Sequence, residues 1–393
     1  MTQTQDSTSE GKAEVWTPGL RELLETSARA AGFDAVGVAA VPEAEVHGER
    51  FSAWVEQGRA GEMEYLKRRD EQGTLVRQSV RTAIPWVRSV VVCAASYNAG
   101  GARSIDPAPA GTGWIARYAW SGKRNEQGDV VATDYHDELL ARLKQVEAAL
   151  MERAQCTTRC YVDTGPIVER ALAAEAGVGW IGKNTCVLNQ SLGSWMLLGV
   201  VLSSLEVGET TAALVAQDRC GTCTRCIDAC PTGALLGSRE AGSVREMDAS
   251  RCIAYLTIEK KGAIEEALRE GMGRQLFGCD ICQEVCPWNR RAPIAVGSSM
   301  LPREDLVNPA LEWLAGMDSQ EFKRRFKGSP LERTGRKRLR RNVAIAMGNS
   351  GEERFLPVLD AWRETVAEDS GAPDDPILRE AAGWAARQIR GRG

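Results

Sequence analysis

The chain has 393 residues, 43% of them hydrophobic and 26% charged, with a formal net charge of −4. That length suits about two or three domains, each able to bury its own core. The balance excludes low-complexity and collagen-like classes and gives no sign of a polyanion partner overall, although an average can hide a local patch. Twelve cysteines raise the question of disulfides. Eight of them fall in or between two tight blocks, and thiolate ligands need a reducing compartment, so the expectation is a cytoplasmic protein without a disulfide framework. The opening "MTQTQDSTSEGKAEV" lacks an apolar leader core, and no apolar run approaches the roughly 20 residues that span a bilayer.

Residues 1–13 are Ser/Thr/Gln/Asp-rich and read as disordered. "PGLRELLETSARAAG", Pro18 to Gly32, has helical spacing and a Gly stop. "FDAVGVAAV" follows as a buried strand, "ERFSAWVEQG" and "GEMEYLKRR" as helices, and "SVVVCAASY" (Ser89–Tyr97) as a second buried strand. Asn98 to Gly113 reads as a loop. "DELLARLKQVEAALMERA" is an amphipathic helix, and "TTRCYVDTGP" a strand running into a turn. "GVGWIGKNTCVLN" and "GSWMLLGVVLSSL" complete the alternation. An α/β sheet domain over 14–207 follows. A cysteine-rich unit occupies 208–295, and 296–393 is helical. There, "RLRRNVAIAMGNSGEERFLPVLDAW" and "DPILREAAGWAARQIRG" resemble one another, as HEAT-type repeats do.

The first cysteine block is "CGTCTRCIDACPTGAL", with Cys220, Cys223, Cys226 and Cys230 in the ferredoxin spacing C-x2-C-x2-C-x3-C-P. The second, "GCDICQEVCPWN", carries Cys279, Cys282 and Cys286 and is one thiol short. Two cubanes need eight thiolates; Cys252, between the blocks, is the natural eighth. In two-cluster ferredoxins the last cysteine of each motif crosses to the other cluster. Cluster one then takes Cys220, Cys223, Cys226 and Cys286; cluster two takes Cys230, Cys252, Cys279 and Cys282. Structural zinc on two C-x-x-C pairs is the rival reading, disfavoured by the third close cysteine and the trailing C-P. Cys93 and Cys186 read as small buried hydrophobes. Cys156 and Cys160 have no histidine beside them to complete a metal site. Paired clusters form a wire that needs an acceptor. No G-x-G-x-x-G follows the first strand, and His47 and His136 are the only histidines. The residues alone do not name that acceptor.

Three further stretches do carry a likeness: "TDYHDELLARL" from Thr133, "VDTGPIVERALAAEAGVGWIGKNTCVLN" from Val162 and "LGSWMLLGVVL" from Leu192. With the two cysteine blocks, "CIAYLTIEKKG" and "SPLERTGRKRLRRNVAIAMGN", they resemble the epoxyqueuosine reductases over nearly the whole chain, in order. Two departures are a longer region 101–131 and Ala254 where Ser is expected. The resemblance implies three parts: an α/β cobalamin-binding domain of reductive-dehalogenase type, a ferredoxin-like domain with two [4Fe-4S] clusters, and a HEAT-like tail. It implies removal of the epoxide oxygen from epoxyqueuosine at the wobble position of tRNA. Electrons from an external flavodoxin- or ferredoxin-type donor pass through the clusters to base-off cobalamin in a monomeric protein.

It also implies that Asp134 is the proton donor, which requires a carboxyl raised well above the ordinary value of about 3.9. As Asp before "YHDELLARL", it suits a helix N-cap as well. His136 reads as its hydrogen-bonding neighbour. Tyr97, Asp163, Thr164, Lys183 and Asn184 are assigned to cobalamin, with Ala254, Tyr255, Gly278 and Asp280 facing the corrin beside the nearer cluster. From Lys323 to Arg341 there are ten Lys/Arg and one acid, which suits phosphate contacts. Arg336, Lys337, Arg338 and Arg340, with Lys260 and Lys261, are the expected tRNA contacts.

Overall fold

A computed structural model describes residues 14–43, 45–208, 215–295, 301–364 and 375–391. The segment expected to be disordered, 1–13, lies outside them, and the expected boundaries near 208 and 296 fall beside 209–214 and 296–300, also outside. Among the described residues no helix is long and apolar enough to cross a membrane.

The first layer is helix α1 (Pro18–Ala30). Pro18 is its first residue and the Thr17 side chain accepts from Leu20 N. It stops where Gly32 takes φ +83 and Phe33 N–H reaches back to Ala28 O at 2.9 Å, a Schellman ending that needs the left-handed glycine. The sheet comprises β1 (Ala35–Ala40), β2 (Ser89–Ser96), β3 (Thr158–Tyr161) and β4 (Met196–Ser203), in the order β1-β2-β4-β3. Every pairing is antiparallel. Ligand placement at the carboxyl ends of a parallel sheet therefore does not apply here.

Strand alternation explains why β2 reads as an unbroken apolar run. Val91, Cys93 and Ala95 face α1 and helix α2 (Tyr135–Arg153), meeting Leu20, Leu24, Leu139 and Leu143. Val90, Val92 and Ala94 face the opposite layer with Leu172, Ala173 and Val178. Cys93 is the buried hydrophobe expected. The helix expected over "GEMEYLKRR" is only a 3₁₀ turn, Glu64–Leu66; Gly61 at φ +57 lies so close under the Tyr255 ring that a Cβ would sit 2.5 Å from it.

A second core joins the cysteine-rich region to the C-terminal helices. Ile253 and Leu256 of α3 (Ile253–Ile258), Leu276, Phe277 and Trp120 pack with Leu339, Val343 and Met347 of α4 (Gly335–Ser350). Gln275–Phe277 also pairs in parallel with Trp114–Ile115. The two mutually similar C-terminal stretches pack on each other through α4 and α5 (Pro376–Arg390): Gly348 approaches Ala385 so closely that a Cβ would lie 2.7 Å from its Cα.

The tail is not an appendage. Arg341, in the basic run, is 1% exposed and donates to the carbonyls of Leu256, Lys260 and Gly262 at 2.6, 2.8 and 2.7 Å. Asn342 Nδ2 donates to Thr257 O and Leu276 O, both at 2.9 Å. These two side chains clamp the segment after Cys252 to the one before Cys279. Arg341→Met, which strands three buried carbonyls, is expected to cost about 3 kcal/mol and to lower the thermal midpoint; an unchanged midpoint would show that the clamp is dispensable.

Candidate active site and cluster ligands

The eight thiols gather into two foursomes. Cys226 is pushed up to about 12 by burial and by the negative charges of Cys286, Cys220 and Cys223. Cys286 is pushed to about 11 by burial, with Cys220 and Cys223 again beside it. Cys279 is driven well above the thiol range by burial, with Cys252 and Cys230 as its cysteine neighbours. Cys282 is raised by a hydrogen bond with Cys186, by burial, and by Cys279 and Cys252. Cys286 thus stands beside the thiols of the first block and Cys230 beside those of the second, the neighbours a crossed assignment needs. Cys220 and Cys286 rest against Trp180, Leu188 and Trp288. No three of the described Cys, His, Asp or Glu side chains are drawn together as ligands of one metal ion.

Cys186 is a correction. Rather than an inert apolar residue, it places its thiol against Cys282, a hydrogen bond that pulls it below the ordinary thiol value. Lys183 is another. It is 1% exposed, and Nζ donates to Gly221 O at 2.7 Å and Ser238 O at 2.9 Å. The ammonium braces the first-foursome loop and is not presented to a cofactor.

From the second foursome a chain of side chains leads to the carboxylates. Gly278, at φ +68, lies against Ala116 and Tyr118. Tyr118 stands edge-on to Tyr135 at 6.0 Å, and the Tyr135 hydroxyl donates to Asp163 Oδ2 at 3.0 Å. Arg117, buried, fixes this region. Its N–H donates to Asp280 Oδ2 at 2.6 Å and its guanidinium to Asn98 Oδ1 at 2.8 Å, over the Trp195 ring. Burial pushes the Asp280 carboxyl up to about 7. Tyr97 stands edge-on to Trp195, its hydroxyl donating to Gln283 at 3.4 Å.

Asp134 caps α2 as expected, accepting from His136 N at 3.0 Å, and also meets His136 Nδ1 at 2.5 Å. The other ring nitrogen of His136 lies 3.6 Å from Asp163 Oδ2, and the ring stacks on Tyr135 at 4.0 Å. Burial opposes charge on His136, but the two carboxylates outweigh it and raise the imidazole to about 9. Burial likewise pushes Asp134 up, and the His136 hydrogen bonds more than reverse it, holding the carboxyl below its usual range. The direction for Asp134 is thus downward and that for His136 upward, the reverse of the raised carboxyl expected.

Asp163, in the left-handed region at φ 54, lines a cleft of about 760 Å³ shared with Tyr65, Arg77, Glu169, Arg245 and Arg333. Arg77 and Arg333 both stack on the Tyr65 ring, at 5.7 and 5.8 Å. Burial and the Asp163 charge lift Glu169 to about 7. Asn184 is buried with Oδ1 accepting from Cys186 N, while its Nδ2 has no partner among the described residues. Thr164 is exposed in the turn, and Ala254 is half-buried on α3. Tyr255 accepts from Glu62 N at 2.8 Å.

The expected RNA contacts divide. Lys261 and Lys337 are exposed. Lys260 pairs with Glu62 at 2.6 Å. Arg336 and Arg338 donate to the carbonyls of Met317 and Thr334, at 2.8 and 2.6 Å, and Arg340 stacks on Trp362 at 4.7 Å. Sequence reasoning missed Arg77, Tyr65, Arg333, Tyr118 and Arg117; the arginine embedded in "ARYAW" was the one visible signal.

The family model described as epoxyqueuosine reductase QueG, DUF1730, matches residues 77–164, and one described as 4Fe-4S double cluster binding domain matches 219–289, a span holding all eight thiols. An epoxyqueuosine reductase of Xanthomonas campestris is 36% identical over 93% of this chain and 95% of its own. The chain belongs to the epoxyqueuosine reductase family. It is an oxidoreductase. A solved epoxyqueuosine reductase in complex with an epoxyqueuosine-modified tRNA-Tyr stem loop superposes with TM-score 0.78 at 28% identity, covering 94% of this chain and 90% of that one. The Bacillus subtilis epoxyqueuosine reductase, solved with an aspartate-bearing catalytic loop swung out of its active site, gives TM-score 0.77 at 27% identity, over 94% of this chain and 90% of its own.

If the foursomes hold cubanes, Cys252→Ala removes one ligand of the second only. Iron in the reconstituted protein is then expected to fall by about four atoms per chain. Unchanged iron would refute the ligand count.

Proposed function

We propose that this protein reduces the epoxide of epoxyqueuosine in tRNA to the alkene of queuosine, using two [4Fe-4S] clusters and cobalamin. The observation that carries the reading is the Asp134–His136–Asp163 array, joined through Tyr135 and Tyr118 to the second thiol foursome. The solved relative bound to a modified stem loop supports the substrate, and the catalytic-loop aspartate of the Bacillus subtilis relative supports the acid.

The residues present fit the cofactor. The unpartnered Nδ2 of Asn184 is a buried donor awaiting an acceptor, and such a group is costly to leave unmatched. Asp163, Arg77, Arg245 and Arg333 line the cleft that would hold the corrin, with Asn184, Gly278 and Asp280 as the further residues assigned to it. When bound, cobalamin supplies a strongly reducing, nucleophilic metal to the epoxide carbon.

The chain's own residues handle the protons. Converting an epoxide to an alkene and water consumes two electrons and two protons. His136 stores one proton between two carboxylates. Asp134, ionised and quarter-exposed, takes it from Nδ1 and passes it to the oxygen as the first C–O bond breaks, so no free alkoxide builds up; the second proton, which completes the water, comes from solvent. Asp163 steadies the imidazolium beforehand. Exposed Lys261 and Lys337 meet tRNA phosphates, which positions the stem loop without reading bases.

Asp134→Asn is expected to keep both clusters and lose turnover by about 10²–10⁴-fold; full activity would remove Asp134 as the donor. His136 carries its proton below about 9, and its value is raised relative to the unfolded chain. The ion pairs therefore contribute fully below about pH 6.5 and are lost as pH rises through about 9. Turnover is expected to fall on that alkaline limb, and His136→Gln to abolish the limb; a flat wild-type profile would contradict the proton store. Lys261→Glu with Lys337→Glu should weaken stem-loop binding and reduce the slope of log affinity against log salt by about 0.7–0.9 per lost contact. An unaltered slope would make both lysines bystanders.

A further inference from the structure

A second cleft, of about 480 Å³, is lined by Arg103, Ile105, Arg225, Asp228, Glu284 and Arg290. Its walls are the two segments that carry the first foursome: Arg225 precedes Cys226, and Arg290 stands in the turn that begins directly after Cys286. We infer that this cleft is the docking surface for a small acidic one-electron carrier protein. The inference rests on the reading of the foursomes as iron–sulfur clusters that feed the active site.

Three observations carry it. The first is charge. Arg225, Arg290 and Arg291 are exposed and make no ion pair with any described residue, on a chain whose net charge is −4. The acids of the cleft do not balance them. The Glu284 side chain is 3% exposed, turned inward to accept from Ser104 Oγ at 2.8 Å and Ile105 N at 3.2 Å. Asp228, which accepts from Thr224 Oγ1 at 2.8 Å, is exposed and offsets one of the three arginines. Arg103 is already held by Asp106 at 2.8 Å. Outward-facing cations therefore exceed exposed acids, the pattern that steers an acidic partner.

The second is position along the wire. The second foursome, not the first, connects through Gly278 and Tyr118 to Asp134 and His136. The first foursome is the entry end, and a carrier seated in this cleft is one residue from Cys226. The third is character. Ile105 and Val285 give the cleft a small apolar floor among the arginines, and a small mixed surface of this kind suits a brief redox encounter rather than a permanent complex. An RNA would also answer to arginines, but the exposed basic residues expected for RNA, Lys261 and Lys337, belong to the segments joined by the Arg341 clamp. At each encounter the carrier's reduced cofactor loses one electron and the first cluster gains it; two encounters supply the pair that the epoxide consumes.

The test uses the full chain with reconstituted clusters and the double variant Arg225→Glu/Arg290→Glu. Bleaching of the cluster absorbance is followed after mixing with reduced flavodoxin, an acidic carrier, or with dithionite. Wild-type reduction by flavodoxin is expected to slow as salt rises. The variant should react about tenfold or more slowly at low salt, with a flatter salt dependence. Its dithionite rate and its affinity for the tRNA stem loop should be unchanged. Equal flavodoxin rates in the two proteins would overturn the proposal, as would an equal loss with dithionite. Weakened stem-loop binding with an unchanged flavodoxin rate would make the surface an RNA contact instead. A chain that takes up no chromophore to bleach would overturn the iron–sulfur reading itself, and the proposal with it.

Discussion

The crossing of Cys286 to the first thiol block, and of Cys230 to the second, is the constraint on which the rest of the structure depends. The first block gives up Cys230 and takes in Cys286, so both blocks must be held at one place by the chain around them. Lys183 braces the loop of the first block from the sheet domain, its buried ammonium donating to two carbonyls. Arg341 and Asn342 hold the flanks of the second from the C-terminal helix. Arg117 ties the loop after β2 to Asp280 and Glu284 within the second block. Three buried cations, each from a different part of the chain, therefore converge on the cysteine-rich region. Burying a cation is costly unless it is paired, and each of these meets carbonyls, carboxylates or both, although Arg117 Nε has no partner among the described residues.

The same arrangement places charge at the reaction site. Two carboxylates face one imidazole, and their environments divide the labour. The imidazole hydrogen-bonds to Asp134 and lies 3.6 Å from Asp163, which holds both carboxyls low, while the two carboxylates together raise the imidazole. Acid–base assignments emerge from pairs whose environments push their proton affinities apart, and here the acidic partner is the histidine. Glu169, beside Asp163, is lifted to about 7 by burial and by that carboxylate's charge.

Much of this was legible in the sequence because spacing carried it. The cysteine blocks pointed to the double-cluster domain, and the Asp before "YHDELLARL" to the helix cap. The unbroken apolar run of β2 gave a strand buried on both faces. What escaped depended on contacts between distant segments. Nothing in "GKNTC" indicates that Lys183 and Cys186 turn toward the cysteine-rich region. Nothing in the basic run separates Arg341, enclosed under carbonyls, from Lys337 three positions from the helix start and open to water. The helix expected at "GEMEYLKRR" gave way to a 3₁₀ turn because Gly61 and Glu62 are held against Tyr255. Asp134 was expected to carry the proton through burial, with His136 as its hydrogen-bonding neighbour; what escaped was that the His136 contacts outweigh burial and lower the carboxyl.

The central claim is that reducing power from the paired thiol foursomes and a proton from the Asp134–His136 pair meet at one cleft and remove an epoxide oxygen. Its most direct test is mass analysis of the modified nucleoside after the cluster-loaded, cobalamin-loaded protein, reduced beforehand, has acted once on an epoxyqueuosine stem loop. The account predicts a product lighter by one oxygen atom, formed as the clusters reoxidise. An intact epoxide beside fully reduced clusters would contradict it.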